Sequence, residues 1–328
     1  MVIDTPLFMT LKLVYPIDCM KKIGVTQALY TSDMDSLACS IAYSELLRLE
    51  GKDAVAYIPK EPGSSVTDEI KSWNFEYEIE PKPEDLENIE FVLVDTTDPH
   101  TFPKFVAEEK IVEIYDHHYG YEDYWKQKLG KKATIDMIGA CATLIWEEYK
   151  KRGFADKISQ VSAKLLYAAI VSNTLNFKAT ITSPRDAQAF QELSEKANIP
   201  KEWIEKYFID QEEYIYKNPR QAVIDDIKII EFPNLGKKIT IGQIELWDSK
   251  KFVMDYKPLI KEILDNFGHK IWFFNAPCIA RGTTYVLAED EYIKAVLQEK
   301  FGFSFDENIG ESSKLIERKE FVKEILKL

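Results

Sequence analysis

The clearest structural signal is the segment Ile111-Val112-Glu113-Ile114-Tyr115-Asp116-His117-His118, in which an apolar run leads directly into one carboxylate and two imidazoles. The run predicts a buried strand, and the polar side chains after it are common ligands of divalent metals. An isolated triplet of this kind also fits a solvated turn. Two further apolar runs end in acid, however: one leads into Asp95, and another leads into Asp33 and Asp35. Since the carboxyl ends of strands in an open parallel sheet line one crevice, we expect these side chains to converge on a metal site.

The composition limits the classes of protein to consider. A chain of 328 residues favours two domains, and its net charge of −13 argues against a general binder of DNA or RNA. The four cysteines have no paired zinc spacing and form no disulfide framework. No apolar run approaches the ~18 residues of a membrane span, and the first residues do not resemble an export signal. We therefore expect a soluble, cytoplasmic protein.

The N-terminal part of the chain alternates between strand and helix patterns. An apolar run at residues 26–31 predicts a strand, Ser36 is the predicted cap of the helix that follows, and Gly51 comes after its end. A second strand at residues 53–58 completes a βαβ unit. Further elements are predicted as strands at 91–94 and 111–115, and as helices at 142–151, at 158–171 and from Ser183 onward. The predicted fold is α/β, with a mostly parallel sheet and flanking helices.

The C-terminal part has a different pattern. Runs at residues 227–232 and 239–246 predict two strands joined by a hairpin-like turn at 234–236. Predicted helices near 258–266 and 291–300 alternate with strands near 271–274 and 285–287. We place the boundary near residues 210–220, which gives a first domain at 1–215 and a smaller C-terminal α/β domain at 216–328.

The acidic motifs, taken together, resemble those of the DHH phosphoesterase superfamily. The motifs that carry the resemblance are Asp33-Met34-Asp35-Ser36, Asp95, Asp116-His117-His118, the glycine-led helix start at 139–144 and the segment 172–178. Three downstream motifs resemble the C-terminal domain of the manganese-dependent family II inorganic pyrophosphatases, which short-chain exopolyphosphatases share. These motifs are Asp226-Ile227-Lys228, the segment 241–245 and Glu317-Arg318-Lys319.

The resemblance implies a hydrolase of phosphoanhydride bonds that acts on pyrophosphate or short-chain polyphosphate in a cleft between the domains. Its cofactors would be two divalent metal ions, Mn2+ or Mg2+, with Co2+ as a further candidate. The metal ligands that it implies are Asp33, Asp35, Asp95, His117 and Asn173. The implied catalytic residues are Asp116 and His118, and the implied substrate-binding residues are His118, Lys228 and Arg318. Asp116 could instead orient an imidazole, and we give the two roles similar weight.

Two positions depart from the family pattern. Leu29 stands where the pyrophosphatases have a metal-binding histidine, and Asn173 stands where the family has an aspartate. These departures leave open a non-catalytic binding or regulatory protein with weakened metal sites, and a nucleotide phosphodiesterase is a third interpretation. We expect a small phosphate-containing substrate as the partner, with no long nucleic acid and no membrane, and a homodimer stays open.

Overall fold

The computed structural model describes residues 21–29, 32–118, 120–232 and 237–325. The first sheet has five parallel strands in the order β2-β1-β3-β4-β5. These strands are β1 Lys22–Thr26, β2 Ala54–Tyr57, β3 Ile89–Val94, β4 Ile111–Asp116 and β5 Ala133–Ile135. The strand predicted at residues 26–31 is wrong, because β1 ends at Thr26 and residues 27–29 already belong to the connection toward the first helix. Residues 30 and 31 lie outside the described residues.

Eight α-helices are described before the second sheet. They are α1 Met34–Leu49, α2 Asp68–Lys71, α3 Glu122–Leu129, α4 Cys141–Lys151, α5 Gln160–Asn173, α6 Pro184–Ala197, α7 Trp203–Lys217 and α8 Pro219–Asp225. Asp33, rather than the predicted Ser36, caps α1, because the Asp33 carboxylate accepts a hydrogen bond from the Ser36 N–H at 2.9 Å. The helix start predicted at Ser183 is confirmed as a capping box with Asp186.

Helices cover both faces of the parallel sheet. Alternate residues of β3 face opposite sides: Val92 and Val94 pack in a cluster with α1, α4, α5 and α6, whereas Phe91 and Leu93 pack in a second cluster with Trp125 of α3. This alternation follows from the two-residue period of a strand, and burial on both faces explains its continuous apolar sequence. The doubly covered sheet fixes the carboxyl ends of β3 and β4 in one place.

The second sheet has six strands in the order β10-β11-β9-β8-β7-β6, in which β7 and β8 are parallel and the other pairs are antiparallel. Its strands are β6 Ile227–Phe232, β7 Lys237–Gln243, β8 Ile271–Cys278, β9 Thr283–Ala288, β10 Ser304–Asp306 and β11 Ile309–Ser312. Its helices are α9 Ser249–Asp255, α10 Lys257–Asp265, α11 Glu291–Phe301 and α12 Arg318–Ile325. The turn predicted at 234–236 lies outside the described residues.

The predicted fold class is confirmed: a parallel sheet with flanking helices is followed by a mixed-sheet α/β unit. The division at residues 215 and 216 stays a prediction. No helix among the described residues is long and apolar enough to cross a membrane.

Polar and aromatic side chains make contacts between the two units. The Lys178 ammonium donates hydrogen bonds to the carbonyls of Ile279 and Ala280, and the rings of Phe208 and Trp247 stack with their centroids 6.0 Å apart. These contacts join the two units, and we call the region between Lys319 of the second unit and Asp95 at the end of β3 the crevice.

Candidate metal centre

Three predicted site residues lie together at the carboxyl ends of β3 and β4. Asp95 directly follows β3, and His117 and His118 directly follow β4. One ligand atom from each residue lies within 4.8 Å of the others, as a shared metal ion would require. The Nε2 atom of His117 is 3.3 Å from Asp95 Oδ1 and 3.8 Å from Asp35 Oδ2. The expected convergence of distant segments is therefore present in the structure.

Asp95 is buried with one carboxylate oxygen unsatisfied. Its backbone has a φ of 57°, a left-handed conformation that Asp tolerates better than most residues, and its N–H donates to the Tyr115 carbonyl at 2.8 Å. The Oδ1 atom accepts no hydrogen bond from any described residue. Burial, followed by the nearby charge of Asp33, raises the pKa of Asp95 well above its ordinary value. A bound cation would supply the missing positive charge.

His117 has the tautomer that suits a metal ligand. Its Nδ1 lies 2.9 Å from the carbonyl oxygen of Ile138, an acceptor, so Nδ1 must carry the proton. The Nε2 atom then presents a lone pair to Asp95 Oδ1. Two acceptor atoms facing each other at 3.3 Å repel unless a proton or a cation lies between them. This pair therefore fits a divalent metal ion.

Asp186, which the sequence analysis did not assign to the site, holds the loop that contacts His117. Its buried carboxylate accepts hydrogen bonds from the Gly139 N–H at 2.9 Å, the Ala140 N–H at 3.3 Å and the Thr143 hydroxyl at 2.6 Å. A Cβ atom at Gly139 would lie 2.8 Å from Asp186 Oδ2, so only glycine fits there. The one signal in the sequence was the capping box, which also predicts an acid at this position.

Asp116 and His118 form a charged hydrogen-bonded pair. Asp116 Oδ1 accepts from His118 Nδ1 at 2.7 Å and from the backbone N–H of His117 at 2.7 Å. Burial favours the neutral acid, but the bond from His118 and the charges of the two imidazoles together outweigh burial and lower the pKa of Asp116. Loss of hydration likewise opposes charge on His118, yet the same bond raises the pKa of His118. This geometry fits the orienting role that the sequence left open for Asp116, and its catalytic role stays a prediction.

The carboxylate of Asp35 is surrounded by donors. Oδ2 accepts from the Cys141 N–H at 2.8 Å and from the Asn173 amide at 2.6 Å, while Oδ1 accepts from the Ala142 N–H at 2.9 Å. Burial and then the charge of Asp95 raise the pKa of Asp35 to about 8. The two predicted ligands Asp35 and Asn173 therefore contact each other, and Asp35 depends on the N-terminus of α4 for compensation.

Asp33, the remaining predicted ligand, and Leu29, which stands where the pyrophosphatases have a histidine, both lie in the segment between β1 and α1. Asp33 caps α1 through one oxygen, and its charge contributes to the raised pKa of Asp95, which places Asp33 near the centre. Leu29 offers no ligand atom, and its N–H donates to the Thr101 carbonyl at 2.7 Å. The metal-binding roles of Asp33, Asp35, Asp95, His117 and Asn173 stay predictions.

The second unit brings basic groups to the opposite side of the crevice. Arg318 is buried and donates to the carbonyl of Asp226 at 2.8 Å and to its carboxylate. Burial and then the charge of Arg318 lower the pKa of Lys228. The charge of Lys319 acts on Asp95. Lys319 belongs to the motif Glu317-Arg318-Lys319, but no local pattern predicts a contact for it.

Residues 26–170 match the model of the DHH family, N-terminal domain. This part of the chain is a DHH-family N-terminal domain. The resemblance predicted from the acidic motifs is confirmed, and those motifs from Asp33 to His118 lie within the matched range.

Two relatives and one solved structure extend the comparison. The chain is 30% identical over 267 residues to the A-adding tRNA nucleotidyltransferase of Aquifex aeolicus, a match that covers 79% of this chain and 29% of that protein. It is 25% identical over 236 residues to a probable manganese-dependent inorganic pyrophosphatase of Staphylococcus saprophyticus, covering 71% and 74%. A candidate family II inorganic pyrophosphatase of Methanococcus jannaschii has the same fold, with a TM-score of 0.68, 23% identity and coverage of 93% and 98%.

The chain thus spans less than a third of the Aquifex relative but most of the Staphylococcus one. The DHH domain and the pyrophosphatase relative support a phosphoesterase-like hydrolase.

Proposed function

We propose that this chain is a divalent-metal-dependent hydrolase of phosphoanhydride bonds, with pyrophosphate or short-chain polyphosphate as its substrate. The observation that carries the proposal is the pair of facing acceptors, Asp95 Oδ1 and His117 Nε2, which are buried 3.3 Å apart. A cation between them removes the repulsion and satisfies both atoms. The manganese-dependent pyrophosphatase of Staphylococcus supports the same assignment by similarity.

The chemistry of the proposal divides between the two sides of the crevice. Two bound divalent cations, Mn2+ or Mg2+, would supply a hydroxide nucleophile and neutralise phosphate oxygens. Asp95 and His117 would hold them, with Asp33 and Asp35 as the further ligands. His118 uses Nδ1 to bind Asp116, so its Nε2 is left to donate a proton to a phosphate oxygen. The substrate phosphates would lie against the basic groups Lys228, Arg318 and Lys319.

A panel of metals and substrates tests the proposal. The purified chain is assayed with Mg2+, Mn2+ or Co2+ against pyrophosphate, tripolyphosphate, nucleotides and a phosphodiester, and phosphate release is measured. We expect turnover of pyrophosphate or tripolyphosphate that disappears with chelator. Asp95→Asn should lower turnover by at least about a thousandfold, because it removes a charged ligand without changing shape. Asp156→Asn, at a fully exposed carboxylate, is the matched control and should behave as the wild type.

Preferred cleavage of the phosphodiester would instead support the nucleotide phosphodiesterase interpretation. Full turnover by the Asp95→Asn variant would mean that the metal centre takes no part in the reaction.

The non-catalytic interpretation has one observation in its favour. The Asp35 carboxylate is already satisfied by Cys141, Ala142 and Asn173, so the second metal position lacks a free carboxylate there. The double variant Leu29→His with Asn173→Asp restores the two family ligands. A large gain in metal binding and hydrolysis from an inactive wild type would support a degenerate site. Loss of an existing activity would mean that Leu29 and Asn173 serve the present chemistry.

A further inference from the structure

Gln243 is a buried amide at the end of β7, inside the second sheet. The residue is only 6% exposed, and β7 pairs with β8 so that Gln243 lies beside the fully buried Asn275. The Asn275 Nδ2 donates a hydrogen bond to Gln243 Oε1 at 2.8 Å. Because a buried polar atom without a partner destabilises the fold, the other polar atoms of the Gln243 amide also require partners.

Those partners include Arg318, the first residue of α12. Gln243 Oε1 accepts a second hydrogen bond from the Arg318 backbone N–H at 2.5 Å. The backbone N–H of Gln243 donates to the Asp226 carbonyl at 3.0 Å, and the Arg318 guanidinium donates to the same carbonyl at 2.8 Å. Gln243 therefore holds the backbone of Arg318 and also the group that holds its guanidinium.

The segment that leads into Arg318 is fixed as well. Leu315 packs in the core cluster of the parallel-sheet unit, whereas the next residue, Ile316, packs in a cluster of the mixed-sheet unit. The Ile316 N–H donates to the Thr284 hydroxyl at 2.7 Å, and its carbonyl accepts from the Asn275 amide at 3.0 Å. Asn275 thus joins this segment to Gln243.

The orientation of the Gln243 amide is set by its neighbours. Nε2 donates to Glu245 Oε1 at 2.9 Å, while Oε1 accepts from Asn275 and Arg318. A flipped amide would place donor against donor at one end and acceptor against acceptor at the other. Gln243 therefore offers Arg318 an acceptor in a fixed place, and a fully bonded buried network of this kind is rigid.

We infer that Gln243 is a positioning residue for substrate binding, which sets the place and orientation of Arg318 and acts on the substrate through it. A guanidinium binds phosphate through paired, directional hydrogen bonds, so its affinity depends on its orientation. The inference rests on the proposed function, because it requires that Arg318 bind the substrate phosphates.

A double-mutant cycle in the full chain tests the inference. Isothermal titration calorimetry in the presence of Mn2+ measures the binding of imidodiphosphate, a pyrophosphate analogue with nitrogen in place of the bridging oxygen. We expect Arg318→Met to weaken binding about a hundredfold, because it removes the charged donor itself. Gln243→Met removes the acceptor for the Arg318 N–H and should weaken binding about tenfold. In the double variant the further loss from Gln243→Met should stay below about twofold, because its effect passes through Arg318.

Gln298→Met, at an exposed glutamine of α11, is the matched control and should bind imidodiphosphate as the wild type does. The Mn2+ affinity of Gln243→Met should also stay unchanged, because the hydrogen bonds of Gln243 lie within the second unit. In the hydrolysis assay, the KM of Gln243→Met for pyrophosphate should rise about tenfold with little change in kcat.

Circular dichroism checks that the Gln243→Met variant is folded. If it is not, the same cycle is run with Gln243→Asn, which keeps the amide on a side chain that is one methylene too short to reach the Arg318 N–H. The expected dependence on Arg318 is the same for both substitutions.

The outcomes separate the two proposals. Wild-type affinity in Gln243→Met, together with weakened binding in Arg318→Met, overturns the role of Gln243 and leaves the proposed function intact. An equal loss from Gln243→Met with and without Arg318, or a loss of Mn2+ affinity, also overturns that role, because either result would show a general structural effect. A wild-type chain that neither binds imidodiphosphate nor hydrolyses pyrophosphate or tripolyphosphate overturns the proposed function itself.

Discussion

The two sides of the crevice are built differently. On the side of the parallel sheet, short side chains are anchored by the backbone: Asp35 by the N-terminus of α4, Asp116 by the N–H groups after it and His117 by the Ile138 carbonyl. On the opposite side, Arg318 and Lys319 are held by carboxylates of their own unit. The first side is therefore fixed before any ligand arrives, whereas the second side must exchange internal ion pairs for contacts with the ligand.

Asp186→Ala tests how firmly the side chains of the parallel-sheet side are held, and among these variants it should reduce stability most. Asp186→Ala removes the acceptor for the loop at Gly139 and Ala140 and leaves several buried donors unsatisfied, which should cost about 3–5 kcal/mol of stability. Urea unfolding measures this loss. Asp156→Ala, at an exposed carboxylate, should change stability by less than about 0.5 kcal/mol. A small loss in Asp186→Ala would mean that the loop is held by other contacts.

Asn173→Asp tests whether the first side can be returned to the family pattern. The new carboxylate would face Asp35 where the amide now donates, so the metal-free protein should lose about 2 kcal/mol of stability. Mn2+ should restore the lost stability, because a cation can bind both carboxylates. Thermal unfolding without and with Mn2+ measures the loss of stability and its recovery. Asn88→Asp, at an exposed residue, serves as the control. A destabilisation that Mn2+ leaves unchanged would contradict a metal position there.

Lys178→Met tests the connection between the two sides. The variant leaves the carbonyls of Ile279 and Ala280 without their charged donor, which should cost about 1.5 kcal/mol. Chemical unfolding followed by tryptophan fluorescence measures the change, because Trp247 lies beneath the Lys178 ammonium. The exposed Lys201→Met is the control. Unchanged stability would mean that other contacts, such as the stacked Phe208 and Trp247 rings, hold the units together.

The weakest effect should be the change with pH in the stability that the Asp116–His118 pair contributes. The folded-state pKa of His118 is raised above 6.5, so its contribution to stability is fully present below about pH 6.5 and is lost as the pH rises through the folded pKa. The stability difference between the wild type and His118→Gln, measured without metal from pH 5 upward, should therefore shrink at alkaline pH. His269→Gln, outside the crevice, provides the comparison. A stability difference that grows as the pH rises would contradict the raised pKa of His118.

The sequence predicted the first side of the crevice better than the second. A strand that ends in acid has a position fixed by the sheet, so Asp95 and His117 could be placed together from pattern alone. The predicted strand at 26–31 was wrong because the pattern could not tell a buried connection from a strand: Gln27 and Ala28 are as buried as β1 itself.

Contacts between distant segments could not be read from the sequence. The contact of Asp186 with Gly139 depends on how α6 packs against α4, and no local pattern records this. For the same reason, the sequence placed Glu317, Arg318 and Lys319 in one motif but could not show that Arg318 binds Asp226 while Lys319 binds Glu317. Asn173 was predicted by position, yet its amide hydrogen bond to Asp35 appears only in the packed helices.

Leu315 and its neighbour Ile316 pack in different cores, and this arrangement affects how the chain folds during its synthesis. Asp95 and His117 leave the ribosome long before Glu317 does, so the parallel sheet can form while its crevice is still uncovered. A nascent chain at that stage exposes apolar surface that Ile279 and Leu315 cover once they are made.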